Sequence, residues 1–599
     1  MKMNISFKTL GVGALLSSSL LIMTSCEDFL DRPTEDNYNT ENYYASDAAC
    51  ISGVNYLYNS PWYDFQRGFI KVGEVFSGNM YWGSSPYMNF SVNGTDADLV
   101  NMSYSLWAEI SHCSTVYESL KGANASQEVK NMCMGECLVW KAMAYFYLVR
   151  SFGDVPIIHD NSATLAEGNY NELSKVEKAD VYDYIILTLN KAKDLLPKKS
   201  QPGRIDYFSA IGLLAKVYLT KAGVSGQLNP ADLKKAVDYA REVRTSKESE
   251  HSLMKNYEDV FRGSNNAGPE SLIAWRWTVG AHWTCQNSLQ SDLGIEGFCE
   301  VGSVWGGWGG PSADLMQAFG VIDIQPDDTD GGKLKVKDFP SPESRPDIDT
   351  RRKATMMLPG DKYSYFWRDK GGFDYLEFIY NKSYNPSAVG QLEGPCGSNN
   401  VKHLYGNTAD HVAEMGNSDG RMASALATHI LRLSDVYLVE AEAQVLLENG
   451  STVDKNARDA FDAVHQRAVP TADTTKVLTF DMVWKERRLE FAGEGDRWYD
   501  YVRRAYYDVQ GCIDEIKSQR RNAVWNCDGL YKAYYESGRT VWSTILENGD
   551  AVEYDSNTAI PNVTAQSFVL PFPTEDVALN PNVASDAPAV HVDVSKYEY

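Results

Sequence analysis

Two groups of side chains have types and spacing that could do chemistry. The first is Glu486-Arg487-Arg488-Leu489-Glu490, continued by Glu494, Arg497 and Asp500. Carboxylates beside arginines are the raw material of general acid–base catalysis. At helical spacing, however, Glu486 and Glu490 share a face next to Arg487, which makes ion pairs within and between helices. We read the stretch as structural and expect no catalytic residue. A glycosidase needs two carboxyls facing each other across a sugar-sized cleft, and nothing among the 80 acidic residues singles out such a pair. The sequence has no His-Glu-x-x-His, Gly-x-Ser-x-Gly or phosphate loop. Asp327-Asp328-x-Asp330-Gly331 hints at calcium, but Pro326 and Lys337 occupy ligand positions of the EF-hand template. A solvated acidic loop is expected there, and no metal or other cofactor.

The second group is aromatic. The C–H face of a sugar ring stacks on indole or phenol, while its hydroxyls need polar partners at the rim. Tyr81-Trp82, preceded by Asn79, lies in a Gly/Ser-rich loop; Trp275, Trp277 and Trp283 flank His282 and Gln286; Trp305 and Trp308 sit among five glycines. The expected ligand contacts are therefore Asn79, Tyr81, Trp82, Trp283, Trp305 and Trp308. Burial in the core is the competing reading, strongest for Trp308.

Cys26 is the third reactive position. Lys2 and Lys8 precede an apolar stretch from Leu10 to Met23, and Thr24-Ser25 lead into the cysteine, which is followed by Glu27-Asp28. An apolar run of about 14 residues is too short to span a bilayer but suits a cleavable export signal. We expect residues 1–25 to be a lipoprotein signal peptide, Cys26 to carry fatty acyl chains such as palmitate, and residues 26–45 to form a polar tether. Removing residues 1–25 takes the net charge from −24 to −26. Such a surface repels phosphate backbones and anionic lipid, which argues against nucleic acid and leaves the lipid as the membrane grip. Nine cysteines remain without any Cys-x-x-Cys pair, a poor zinc pattern. Cys133 and Cys137, four apart, are expected as buried side chains of a helix.

Helices must position these groups. Apolar residues at three and four spacing predict helices over 104–121, 126–151, 178–196, 206–222, 230–245, 424–448, 454–468 and 480–503. Several form pairs across short polar turns. Residues 246–420 are instead rich in Gly, Trp, Asp and Pro with little periodicity, as expected of a functional insertion. Strand-like runs such as Ser271–Trp277 look short and isolated.

Motifs spread along the chain together resemble one family, the SusD/RagB-like outer-membrane lipoproteins. Cys26 with Phe29-Leu30-Asp31 resembles its export start. Glu136, Ala142, Tyr145 and Tyr147-Leu148-Val149-Arg150, running into Phe152-Gly153-Asp154-Val155-Pro156, resemble its first long helix and exit turn. Leu213–Leu219, Trp308-Gly309 with Pro311 and Leu315, and Arg432-x-x-Asp435-Val436-Tyr437-Leu438 follow in order, then Glu486 to Asp500 and Asn580-Pro581-Asn582. Val464-His465-Gln466 departs from the family's usual residues there.

The resemblance implies a mainly α globule, with tetratricopeptide-repeat-like helix pairs as scaffold, long irregular loops and a few short strands. It implies an N-terminal region over 46–300 and a C-terminal region over 301–599. It further implies a non-catalytic protein on the outer membrane, facing the cell exterior, that binds oligosaccharide and passes it to a TonB-dependent SusC-like transporter. An oligopeptide-binding lid of the same kind of transporter is the alternative. A surface glycan hydrolase and a pure assembly adaptor are more distant readings.

Overall fold

The computed structural model describes residues 43–299, 309–327, 333–336, 340–392, 394–542 and 561–599. Cys26, Trp305, Trp308 and most of the acidic loop at 327–331 lie outside the described residues. The described residues are 53% helix and 7% strand, as the periodicity requires.

Nine helices carry the argument: α1 (Ala97–Lys121), α2 (Gln127–Phe152), α3 (Lys178–Leu195), α4 (Tyr207–Lys221), α5 (Pro230–Thr245), α6 (Leu433–Leu447), α7 (Lys455–Ala468), α8 (Phe480–Phe491) and α9 (Arg497–Ser518). Side-chain caps start them where the sequence puts short polar residues. Asp96 accepts from Asp98 and Leu99 N–H, Ser126 from Val129, and Asn229 from Ala231 just before Pro230. From α1 to α7 each helix packs on the next, forming a continuous stack. Helix α2 is apolar and long enough to cross a membrane, but it is the core of this stack: from Glu136 to Phe152 every side chain is buried. Cys133 and Cys137 lie there, fully buried and free.

The long insertion leaves the stack after α5 and returns before α6, which nonetheless packs on α5 as the next repeat helix. Its two ends are tied by strands β1 (Ser271–Trp275) and β2 (Thr428–Arg432), antiparallel with Trp275 opposite Thr428. The sequence reading is corrected twice here. The run expected over Ser271–Trp277 forms a strand only to Trp275 and is not isolated, and the helix expected from 424 begins only at Leu433. A β ladder across the neck of the insertion outcompetes the local helical pattern. The helix expected over 480–503 is likewise two, α8 and α9, separated by a turn through Gly493 and Gly495. The C-terminal segment clasps the first helices: Leu570 N–H donates to Ser151 at 2.7 Å, Phe572 stacks on Phe152, and Ala589–Val590 pairs in parallel with Lys175–Val176.

Candidate functional site

The carboxylates of 486–500 face inward. Glu490 accepts from Arg467 at 2.5 Å and from Arg351 and Arg432 at 3.1 Å; Glu270 accepts from Arg432 and Arg467 at 2.6 Å each. Asp500 accepts from Arg487 at 2.9 Å and Arg503 at 2.6 Å. Burial opposes the charge on Glu490, yet Arg467, Arg432 and Arg351 outweigh it and hold the carboxyl well below its ordinary range. Every acid in the network is balanced by arginine beneath the surface. That is the stitching of α6 to α9 and the strand neck, not a cleft.

The aromatic residues divide sharply. Trp275 and Trp277 are core: Trp275 stacks on Trp62 at 5.3 Å between ring centres, and Trp277 Nε1 donates to Thr428 Oγ1 at 3.0 Å. Trp283 is 49% exposed, and it is the only tryptophan so open among the described residues. Trp82 and Tyr81 are half-buried. Asn79, expected at the ligand face, is inside. Its Nδ2 donates to Glu74 Oε2 at 3.0 Å, and its Oδ1 accepts from Arg488 at 2.9 Å. With both ends of the amide spent, Asn79 anchors the strand that carries Tyr81-Trp82 and offers nothing to solvent.

Trp82 and Trp283 are brought to one place by a helical segment absent from the periodicity reading. Ser60–Phe65, Gln66–Ile70 and Lys71–Val75 run on as 3₁₀, α and π turns. Tyr63, Arg67 and Lys71 fall at four-residue spacing, and their contacts put them on one face. Tyr63 meets the edge of Trp283 at 6.2 Å between ring centres. Arg67 binds Asp292 through Nε at 3.1 Å and Nη2 at 2.9 Å. Lys71 lies 5.5 Å from the centre of Trp82 and pairs with Asp98. Eight residues of helix rise about 12 Å, so the two indoles bracket a ledge of roughly that length.

Each end is held from below. The Trp283 turn is fixed by a Ser60–Thr284 hydroxyl contact, by Thr278 N–H donating to Cys285 O at 2.8 Å, and by Ser288 N–H donating to Gln66 Oε1 at 3.0 Å. Met80–Tyr81 pairs antiparallel with Gly310–Pro311. The neighbouring Gly309 must be glycine, because a Cβ there would stand 2.4 Å from the Trp82 ring. Arg67 is exposed, and its Nη1 is not engaged by the Asp292 pair. The ledge thus offers two indoles, a phenol and a fixed donor between them. A charged concavity of about 490 Å³ lies elsewhere, lined by Lys255, Asp347, Lys353 and Arg467, with Tyr257 as its only ring. It has no exposed aromatic face. Sequence reasoning missed Tyr63, Arg67, Lys71 and Asp292; the cue was Asn59 and Pro61 opening a helix with i, i+4, i+8 side chains.

A stack of helices thus carries an aromatic ledge on its surface, while the described carboxylates of 486–500 are paired with cations in the interior. The chain belongs to the SusD family. Residues 285–588 match the SusD family model, and residues 28–219 match a second model described as starch-binding, associating with the outer membrane. A SusD-like protein of Bacteroides ovatus is 30% identical over 583 residues, covering 95% of this chain and 96% of that one. Among solved structures, one crystallised with xylogluco-oligosaccharide is 26% identical with a TM-score of 0.74, covering 91% of this chain and 99% of that one. A laminarin-binding SusD-like protein, 20% identical with a TM-score of 0.59 over 90% of this chain and 98% of its own, shares the fold. Members of the family are carbohydrate-binding proteins, not enzymes.

Proposed function

We propose that this protein is a lipid-anchored lipoprotein on the exterior of the outer membrane, where it captures oligosaccharide on the Trp82–Trp283 ledge and passes it to a TonB-dependent, SusC-like transporter. The observation that carries the reading is the placement of Trp283, exposed, and Trp82, half-exposed, at opposite ends of the Tyr63, Arg67 and Lys71 face. Sugar rings stack on the indoles while Arg67, fixed by Asp292, donates to hydroxyls between them. A ledge of about 12 Å spans two to three sugar rings, each roughly as long as three helical rises. Trp305 and Trp308 stay proposed glycan contacts on the sequence argument alone. The relative with bound xylogluco-oligosaccharide supports a glycan over a peptide.

Calorimetric titration with xyloglucan, laminarin and starch oligosaccharides, beside a mixed peptide pool, tests it. Dissociation constants on the order of 10⁻³ to 10⁻⁶ M are expected for at least one glycan. Binding of peptides alone, or of no glycan with or without the transporter, overturns the reading. For the anchor, Cys26→Ala should release the protein from the outer membrane and abolish growth on the cognate polysaccharide.

A further inference from the structure

The nine described cysteines carry no disulfide among them, and eight are buried. Two come together from distant parts of the chain. Cys396 and Cys527 are exposed by only 1% and 3% and share one apolar cluster with Leu376 and Tyr531. Within that cluster the Cys396 side chain is the first cause that raises the Cys527 thiol, ahead of burial. The flanking chain is clamped at the same place: Leu392 N–H and the Tyr380 hydroxyl both donate to Asp528 Oδ1, at 2.9 and 2.7 Å. Cys396 stands at φ 55 in a tight turn between Gly394 and Gly397. That turn backs the ledge, since Asn400 Nδ2 donates to Gly309 O and Ser398 Oγ to Pro311 O, each at 2.9 Å.

We propose that Cys396 and Cys527 form a disulfide in the exported protein, stapling the turn behind the Trp82 end of the ledge to the helix Asp528–Glu536. The proposal rests on the export reading above only for its oxidant, a dithiol oxidase of the cell envelope. One Cys thiolate attacks the oxidase disulfide to give a mixed disulfide, and the second displaces it. Two S–H bonds are lost and one S–S bond forms. The electron pair reduces the oxidase disulfide to two thiols, which take up the two protons. Within the closed fold, the Cys527 thiol is held well above its ordinary value, first by the neighbouring Cys396 side chain and then by burial. Thiolate is the reacting form, so the bond is made while the chain folds, before the cluster closes.

The test uses protein released from outer membranes without reductant, quenched with N-ethylmaleimide in denaturant and digested for mass spectrometry. A peptide pair joined through Cys396 and Cys527 is expected, with the other seven of the nine cysteines labelled. Reduction with dithiothreitol should lower the melting temperature by on the order of 5 °C, an effect absent from Cys396→Ser. Cys133→Ser should keep the cross-link. Nine labelled cysteines, or either sulfur joined to a different partner, overturns the proposal. The wild-type peptide map decides this even if Cys396→Ser fails to fold. Loss of glycan binding with the cross-link intact would fault the ledge instead.

Discussion

Gly73 and Gly495 meet backbone to backbone: a Cβ on Gly73 would stand 2.2 Å from the carbonyl carbon and oxygen of Gly495. Gly495 itself sits at φ +73 with its missing Cβ aimed at the Phe69 ring, 2.4 Å away. Its N–H donates to Glu74 Oε1 at 2.7 Å. The most recognisable stretch of the chain, Glu494-Gly495-Asp496-Arg497-Trp498, is therefore shaped by the helical segment that carries Tyr63, Arg67 and Lys71. The Glu494–Trp498 stretch and the aromatic ledge lean on each other through two absent side chains.

Gly495→Ala should accordingly cost about 2–4 kcal/mol, from a left-handed backbone plus overpacking against Phe69. Urea melts measure it, and calorimetry should show weaker glycan binding as the ledge segment is displaced. A melt within about 0.5 kcal/mol of the parent would refute this account of the contact.

Trp283→Ala separates ledge from core. Its ring is half open to solvent, so stability should move by no more than about 0.5 kcal/mol. Affinity for the cognate glycan should fall about tenfold, the worth of one stacked ring. Trp62→Ala, which deletes a fully buried ring stacked on Trp275, should do the reverse, costing about 3–5 kcal/mol of stability. Equal affinities for Trp283→Ala and the parent would remove Trp283 from the ledge.

Arg67→Ala removes the donor fixed between the indoles without touching either ring. Glycan affinity should fall several-fold with a stability loss of about 1 kcal/mol, because the guanidinium is exposed although its partner Asp292 is buried. Asp292→Asn should produce a smaller loss of the same kind by freeing the guanidinium to wander. If neither substitution changes affinity, the polar part of the ledge lies elsewhere.

What was legible in the sequence follows from which forces act locally. Periodicity placed α2, α3, α4, α5 and α7 to within a residue or two, because their burial is one-sided and their caps are polar residues of ordinary kind. The paired arginines and glutamates of 486–500 were legible as ion pairs from helical spacing, though their distant partners Arg351 and Glu270 were not. Strand β2 carries a helical pattern in sequence because its ladder partner lies far away in the chain, and no local pattern encodes that pairing. Exposed Trp283 and core Trp275 look alike in sequence; only the packing of Trp62 beneath one of them separates the two. Asn79 is illegible for a related reason, since a polar residue in a loop beside aromatics gives no sign that Glu74 and Arg488 will claim its amide.

Glu490→Gln should cost about 3–5 kcal/mol, because it leaves Arg351, Arg432 and Arg467 short of a buried counter-charge. Residual glycan affinity of the folded fraction should match the parent, since the ion network and the ledge are separate groups of side chains. Chemical denaturation with calorimetry on the same preparation checks both halves. A variant as stable as the parent would show that the network is idle, and lost affinity in folded protein would tie it to the ligand.

His403 gives the fold a pH dependence of known sign. Burial lowers its pKa from an ordinary 6.5 to about 4, although its Nε2 bonds Gly493 O at 2.6 Å. The unfolded chain takes up a proton near pH 6.5 while the native state refuses it until about pH 4. Stability is thus fully present above pH 6.5 and drains as the pH falls toward 4, by about 2–3 kcal/mol between pH 7 and 4.5 from this residue alone. Glu490, held low by its arginines, adds its loss mainly below that window. Glu136, whose pKa is raised to about 7, pulls the other way inside it, so the wild-type curve alone is ambiguous. His403→Gln resolves it: the amide can still donate to Gly493 O, but nothing titrates. Whatever the variant's stability at pH 7, its loss on going to pH 4.5 should be smaller than the parent's by about 2–3 kcal/mol. Parallel curves for the two proteins would mean that His403 is protonated in the native state, and the burial argument would fail.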